Sequence, residues 1–427
     1  MKKIRIGLLG CGTVGCGLAE LLRRNRQIVS RRTGLDLEIQ RALVRDLRKE
    51  RPLERSRVTD DPGAVLEAPD VDVVVELMGG IHPTLEHLRR AIEAGKDVVT
   101  ANKALLARHG TDLLRRAAER KVRLGFEASV CGGIPIIRAI SAGLVGNRIS
   151  TLVGIVNGTC NYILTRMAEE QLPFSQALVE AQKRGFAEAD PSLDLDGTDA
   201  AQKLQILAEI AFGARPPHGR FPIEGIRHVD LEDVRSASAL GFVLKHIVVG
   251  RDLGEALDLR VHPALLPGVH PLAHVRHEFN SVLLRGDAVD EMIFTGKGAG
   301  PLPTASAVLS DIIEVTRSDP AHGDPIWHLP EVTEKPLVKD LESEHYLRFP
   351  IRDVPGVIGL IATALGNHGV SISHAAATLI PEKPGQGNVR ILVHRCRESA
   401  LQKAVNEIAR LPVLVGRPVV LRIFTEG

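Results

Sequence analysis

The run Gly185-Phe-Ala-Glu188-Ala-Asp190-Pro-Ser-Leu-Asp194-Leu-Asp-Gly-Thr198-Asp199-Ala-Ala-Gln-Lys203 gathers several carboxylates around one lysine. Thr198 is the expected N-cap of the helix that follows, and Asp199 falls in its first turn, where the helix dipole favours an anion. Lys203, Ile206, Leu207 and Ile210 recur at helical spacing, so the lysine shares a face with residues that belong in a core. Asp199 stands one turn earlier on that face, at the i, i+4 distance. A lysine at the edge of a core among carboxylates can have its proton affinity moved in either direction, as proton-transfer chemistry requires. The plain alternative is one surface Asp–Lys pair, which contributes little. The helix after Thr198 is apolar nearly all round, however, and the acids are too many for one lysine.

A second group of residues points to a nucleotide. Gly10-Cys-Gly12-Thr13-Val14-Gly15 lies between an apolar strand and a helix. The first glycine permits the tight turn, the second lets backbone approach a pyrophosphate, and the third lets helix pack on strand, with the helix N-terminus facing the anion. The next strand ends at Val44, and Arg45 with Arg48 follows where NAD-specific sites usually place an acid. That favours a 2′-phosphate, and so NADP over NAD, with dual use open. The stretch from Arg23 to Thr33 lengthens the usual gap between glycines and strand end and reads as a longer helix and loop.

These residues need a parallel sheet to carry them, because ligands of such sheets bind beyond the carboxyl ends of the strands. Expected strands are Ile4–Leu9, Leu37–Val44, Val71–Leu77, Asp97–Thr100 and Val122–Phe126, alternating with helices at Val14–Arg24, Thr84–Glu93 and Ala104–Arg120. Met78-Gly79-Gly80, Thr100-Ala-Asn102-Lys103 and Glu127-Ala-Ser-Val130-Cys-Gly132-Gly-Ile134-Pro135 then follow the third, fourth and fifth strands. Lys103 at a strand end is a candidate for holding a hydroxyl or carbonyl oxygen; the alternative is a surface charge flanking a helix.

Further on, helices are expected at Pro135–Leu144, Tyr162–Glu170, Ser175–Lys183 and Thr198–Phe212, with strands at Ile149–Val156, Phe242–Val249 and Val282–Leu284. Ser306–Val315 reads as a helix returning to the first domain. After the charged, proline-bearing stretch Pro330–His345 come strands Tyr346–Ile351, Val370–Thr378, Val389–Val393 and Val419–Phe424, with helices Gly356–Leu365 and Ser399–Leu411, in the ferredoxin-like order. The fold class is therefore α/β. A Rossmann-type domain spans 1–130 and is rejoined by 305–325. A mixed α/β catalytic and dimerisation domain spans 131–325, a linker 326–345, and a ferredoxin-like domain 346–427.

Composition narrows the function. The chain has 427 residues, 25% of them charged, a net charge of +2 and an aromatic fraction of 3%. Neither charge nor aromatic content suits nucleic acid. The glycines that interrupt the apolar N-terminal run argue against a secretory leader, and no apolar run is long enough for a bilayer. The five cysteines include no Cys-x-x-Cys pair, which fits a reducing cytoplasm. His270, His274 and His277 have metal-like spacing but no second ligand cluster, and Cys131 has no histidine placed to activate it.

Taken in order, Gly10–Gly15, Val73–Gly80, Val98–Lys103, Phe126–Val130, Gly132–Pro135, Gly154-Ile-Val-Asn-Gly-Thr159 and Gly185–Lys203 resemble homoserine dehydrogenase over most of residues 1–325. The last 80 or so residues resemble an ACT domain, whose usual opening is matched by Arg352-Asp-Val-Pro-Gly356. The resemblance implies reversible, NAD(P)-dependent interconversion of L-homoserine and L-aspartate 4-semialdehyde. It implies Lys203 as proton carrier, Lys103 at the junction of nicotinamide and substrate, and Glu188, Asp199 and Asp194 around the substrate ammonium. It also implies Gly185 and Gly300 at the cofactor, and a monovalent cation, sodium, at Glu127, Val130, Gly132 and Ile134. The ACT likeness implies a homodimer or homotetramer and threonine as effector, touching Asp353–Gly356 and Asn367–Gly369. Two other readings stand beside it: an amino-acid sensor with a relic nucleotide domain, and an oxidoreductase acting on another short amino or hydroxy acid.

Overall fold

A computed structural model describes residues 1–317, 332–381 and 383–425. Six parallel strands, β1 Lys2–Leu9, β2 Leu35–Leu43, β3 Val58–Thr59, β4 Val73–Glu76, β5 Asp97–Thr100 and β6 Leu124–Gly125, form one sheet in the order β3-β2-β1-β4-β5-β6. The order reverses at β1, which has β2 on one side and β4 on the other, so a ligand crevice opens at its carboxyl end. Helices α1 Thr13–Thr33, α2 Gly63–Leu66, α3 Thr84–Glu93 and α4 Lys103–Glu119 cover the sheet. The polar stretch after Arg23 continues α1 as unbroken helix, which Gly34 ends in the left-handed conformation.

The middle of the chain comprises α5 Ile136–Arg138, β7 Ile149–Ile155, α6 Gly158–Glu170, α7 Phe174–Lys183, α8 Ser192–Leu195, α9 Thr198–Phe212, β8 Ala214–Arg215, α10 Leu231–Ala239, β9 Phe242–Asp252, β10 Leu257–Pro267, β11 Phe279–Gly286, β12 Asp290–Lys297 and α11 Pro301–Arg317. Helix α11 packs along α1: a Cβ on Gly17 would meet the Pro301 carbonyl oxygen at 2.6 Å. Its residues Ala305, Val308, Ile312 and Val315 lie in the same core as Ile6, Leu8 and Leu18. Of the expected return at 305–325, residues 318–325 lie outside the described residues, as do 326–331 of the expected linker.

From 332 on, the chain is fastened rather than loose. Strand β13 Thr333–Glu334 pairs with β8, and Leu337 bridges to Leu257. Then follow β14 Glu342–Arg352, α12 Val357–Asn367, β15 Ile372–Leu379, β16 Gln386–Arg397, α13 Glu398–Ile408 and β17 Val419–Ile423. Residues 342–345, expected in the linker, belong to β14. The four long strands lie in the order β17-β14-β16-β15 and continue the sheet β12-β11-β7-β9-β10 into nine strands. The join is a short parallel pairing of Ala264 with Arg422 and Leu265 with Ile423.

Charge secures that join. Arg348 of β14 donates to both Asp233 and Asp230 at the start of α10, and Arg422 of β17 binds Glu398 and Glu224. Arg348 and Asp233 are buried, so removing either partner alone would strand a charge in the interior.

Candidate functional site

The glycine turn at the end of β1 leaves an open cleft. Gly10 has φ +94°, which glycine adopts without strain. A Cβ on Gly15 would sit 2.6 Å from the Gly10 carbonyl oxygen, so side chains are barred there by the turn itself. Gly12 differs, since nothing lies within 4 Å of the place its Cβ would take. That space belongs to a cleft of about 860 Å³ lined by Gly10, Gly12, Arg45, Met78, Gly79 and Thr84. Thr13 and Val14 begin α1 beside it. Arg45 is exposed on the rim. Arg51, which belongs to no motif in the sequence, ties the loop after β2 to the turn: its guanidinium donates to the carbonyls of Cys11, Asp46 and Lys49.

Helix α9 carries Asp199 and Lys203 as the spacing predicts, but its N-cap is Gly197, in the left-handed conformation at φ +84°, and not Thr198, which is the first helical residue. Glycine serves because it takes that conformation without strain, and a Cβ there would also sit 3.0 Å from the Ile223 side chain. Lys203 Nζ donates to Asp199 Oδ2 at 2.7 Å and to the Val156 carbonyl at 2.7 Å. Lys103, the first residue of α4, brings its Nζ to 3.1 Å from Asp199 Oδ1. Two amines from separate segments thus rest on opposite oxygens of one carboxylate. Lys203 and Asp199 are both buried, while the Lys103 side chain keeps 37% of its exposure.

The electrostatics of this nest follow from burial and opposite charge. Burial pulls the Lys203 proton affinity down, but the Asp199 carboxylate outweighs it and the net direction is up. Burial also opposes ionisation of Asp199, yet Lys203 and then Lys103 hold its carboxyl well below the usual carboxylate range. Asp194 moves the other way: burial and the neighbouring Asp199 charge push its carboxyl up. Lys203 is accordingly held as an ammonium.

Asn157 completes the arrangement. Its side-chain oxygen caps α6 at the Cys160 amide at 2.8 Å. Its Nδ2 spans Asp194 Oδ1 at 2.7 Å and Asp199 Oδ2 at 2.8 Å. Thr159, at the start of the same helix, donates to the Phe186 carbonyl at 2.6 Å and lies 3.3 Å from Asp194. Asn280 donates to the Val156 carbonyl that also receives Lys203. The sequence signal for Asn157 is a strand ending in Asn-Gly-Thr before a helix, which marks a cap. Its bridge between two carboxylates has no local signature.

Known proteins are similar to this chain almost end to end. The family model described as homoserine dehydrogenase matches residues 135–313, and that described as homoserine dehydrogenase, NAD binding domain, matches 10–127. Homoserine dehydrogenase of Synechocystis is 42% identical over 442 residues, covering 99% of this chain and 100% of its own. That of Pseudomonas aeruginosa is 40% identical over 430 residues, covering 99% of each. A crystal structure of a homoserine dehydrogenase from Thiobacillus denitrificans superposes with TM-score 0.92 at 39% identity, covering 99% of both chains. The chain belongs to the homoserine dehydrogenase family. It is a nicotinamide-dependent oxidoreductase that interconverts L-homoserine and L-aspartate 4-semialdehyde. A hyperthermophilic archaeal homoserine dehydrogenase, solved in complex with NADPH, matches 74% of this chain with TM-score 0.61 at 27% identity.

The remaining homoserine dehydrogenase positions named from sequence fall in two places. Gly185 and Glu188 lie on an exposed loop after α7. Gly300, at φ +124°, immediately precedes α11. The turn Val130–Ile134 packs against the segment leading to it, since a Cβ on Gly132 would meet the Gly298 carbonyl oxygen at 2.8 Å. Beside that turn Glu127 is buried, and its carboxylate accepts the amides of Ile137 at 2.9 Å and Arg138 at 2.8 Å, capping α5. The Ile134 carbonyl receives the Ile136 amide, whereas none of the described hydrogen bonds ends on the carbonyls of Val130 or Gly132. Two buried, unclaimed carbonyls beside an acid have the chemistry of a hard-cation site.

Proposed function

We propose that Lys203 carries the proton of the homoserine dehydrogenase reaction, that Lys103 orients the reacting oxygen, and that Glu188 and Asp194 receive the substrate ammonium. The nicotinamide, when bound, supplies or accepts the hydride. The observation that carries the reading is the shared carboxylate: both lysine amines contact Asp199. In the reductive direction the carbonyl oxygen needs a proton as the carbon gains hydride, and an ammonium held by a buried carboxylate is poised to give it. Asp199 has both oxygens engaged by the lysines, so it acts in this reading as their counter-ion, with the ammonium of the substrate directed to the exposed Glu188 and to Asp194.

The finer assignments form part of the same proposal. Gly10, Gly12, Thr13, Val14, Gly15, Gly185 and Gly300 take the dinucleotide, and Arg45 on the rim favours NADP. A monovalent cation, sodium, takes Glu127, Val130, Gly132 and Ile134. The division at 130, 325 and 345 marks three domains joined by a linker, and the enzyme works in the cytoplasm as a homodimer or homotetramer. Residues 346–427 act as an ACT module that takes threonine. Asp353–Gly356 and Asn367–Gly369 flank opposite ends of the 11-residue helix α12, roughly 16 Å apart. One threonine reaches both only when they come from different copies, which favours paired modules.

The test is the initial rate of nicotinamide oxidation with L-aspartate 4-semialdehyde, measured with NADPH or NADH, with sodium or with a bulky organic cation, and with threonine titrated in. The proposal expects NADPH to be preferred, sodium to activate and threonine to inhibit. Equal rates with both cofactors, indifference to sodium or indifference to threonine would each remove the corresponding assignment.

A further inference from the structure

Glu76 is out of character for its strand. β4 reads Val73-Val-Val-Glu76 and all four positions are buried; a fourth apolar residue would suit a parallel strand covered on both faces. Its carboxylate instead meets three donors. Oε1 accepts the amides of Met78 at 2.7 Å and Gly79 at 2.9 Å. Oε2 lies 2.5 Å from the hydroxyl of Thr100, the residue beside it in β5. The Thr100 oxygen accepts the Asn102 amide at 3.0 Å. The Asn102 side chain donates to the Gly80 carbonyl at 2.6 Å, and its oxygen caps α4 at the Leu105 amide at 3.1 Å. The bonds close a ring from the nucleotide turn, through Glu76, Thr100 and Asn102, back to the turn. Lys103 begins the helix that this ring caps.

The geometry points to Glu76 as a positioning residue: it holds the Met78–Gly80 turn in the shape that keeps the cofactor cleft open and, through Thr100 and Asn102, sets where Lys103 starts. The first half stands on the cleft alone; the second rests on the role proposed above for Lys103. Because Glu76 draws the Met78 and Gly79 amides inward, the turn presents the cleft with Gly79 and Gly80, at φ +71° and +70°, a conformation that glycine alone adopts freely. Without the carboxylate, two amides lose their acceptor at the floor of the cleft and the turn must rearrange to satisfy them.

Direct binding of NADPH, followed by its fluorescence, tests the first half without turnover. Glu76→Leu is expected to weaken NADPH binding at least about tenfold, whereas Glu76→Gln, which keeps an oxygen for both amides and a donor for Thr100, stays within about threefold of the parent. Thr100→Val removes the hydroxyl that joins Glu76 to Asn102 but leaves both amide bonds from Glu76 to the turn, so it is expected to lower kcat about fivefold with NADPH affinity within about twofold. If Glu76→Leu does not fold, Glu76→Asp, too short to span the turn and Thr100 together, is expected to weaken NADPH binding at least about threefold. Unchanged NADPH affinity in the folded Leu or Asp variant overturns the inference, even with a lowered Tm, because Glu76 would then merely stabilise the sheet. Unchanged kcat in Thr100→Val removes the link to Lys103. A Lys103→Met enzyme with normal kcat would defeat the reading of that lysine and leave the NADPH test intact.

Discussion

The glycine turn and the lysine nest handle charge in opposite ways. At the turn the protein offers an unfilled space: Gly12 faces an open cleft, and Arg45 stands exposed on its rim. At the nest the protein has satisfied itself, since Asp199 already holds two amines and the Asn157 amide in a buried pocket. A site for a polyanionic cofactor can leave its complement to the ligand, because helix N-terminus and backbone face the anion wherever the turn forms. A site for proton transfer cannot, because the proton affinity of its lysine depends on which charges surround it before substrate arrives. The first site is organised by shape and the second by mutual compensation, and substitutions should separate them.

The largest expected effect lies in the nest. Lys203→Ala should lower turnover at least about 100-fold while NADPH still binds, read from initial rates and NADPH fluorescence; turnover near the parent value would break the contrast. Next comes Asp199→Asn. Burial lowers the Lys203 proton affinity and Asp199 raises it, with the net direction up. Removing the carboxylate charge leaves burial, so the affinity falls. In the role proposed for Lys203, homoserine oxidation needs the neutral amine, and its rate rises with pH as that amine forms. The rising limb should therefore move to lower pH in Asp199→Asn, and a limb that stays in place would show that Lys203 is not the titrating base.

At the turn, Gly12→Ala should fold with an unaltered Tm and raise KM for NADPH about tenfold, the loss of one backbone contact to a charged group. Gly15→Ala sharpens the point, since its methyl meets the Gly10 carbonyl and should cost about 1–3 kcal/mol of stability by overpacking, measurable by denaturant titration. Equal behaviour of the two would contradict the difference in space around them. The smallest effect is at the rim: Arg45→Ala should raise KM for NADPH about two- to fivefold and leave NADH unchanged, as fits an exposed ion pair.

Legibility in the sequence followed the range of the interactions. Five of the six strands of the first sheet, the helix from Thr198 to Phe212 and the four strands and two helices after residue 342 stood in local periodicity, whereas the two-residue edge strand β3 is too short to show any. Strand β10 did not, because Asp258, Arg260, His262 and Pro263 break its apolar run and yet are buried. Only packing shows why that is tolerated: Arg260 bonds to Asp258 and reaches Glu398 of the C-terminal unit. The N-cap of α9 falls one residue before the expected Thr198, since the chain enters the helix through a left-handed residue at φ +84°, a conformation that glycine takes without strain and threonine does not.

Residue order alone determined the spacing of Gly10, Gly12 and Gly15 and the placing of Asp199 and Lys203 one turn apart, since both depend on neighbours within a few positions. Tertiary structure alone decided that Lys103 meets Asp199, that Asn157 joins Asp194 to it, that Glu127 caps α5, and that β17 extends the central sheet beside β10. Those contacts reach beyond the span of a single helix turn or strand pair, most of them between segments far apart in the chain, and no periodicity records them. They exist because a buried charge or an unpaired amide must find a partner once strands and helices have been packed together.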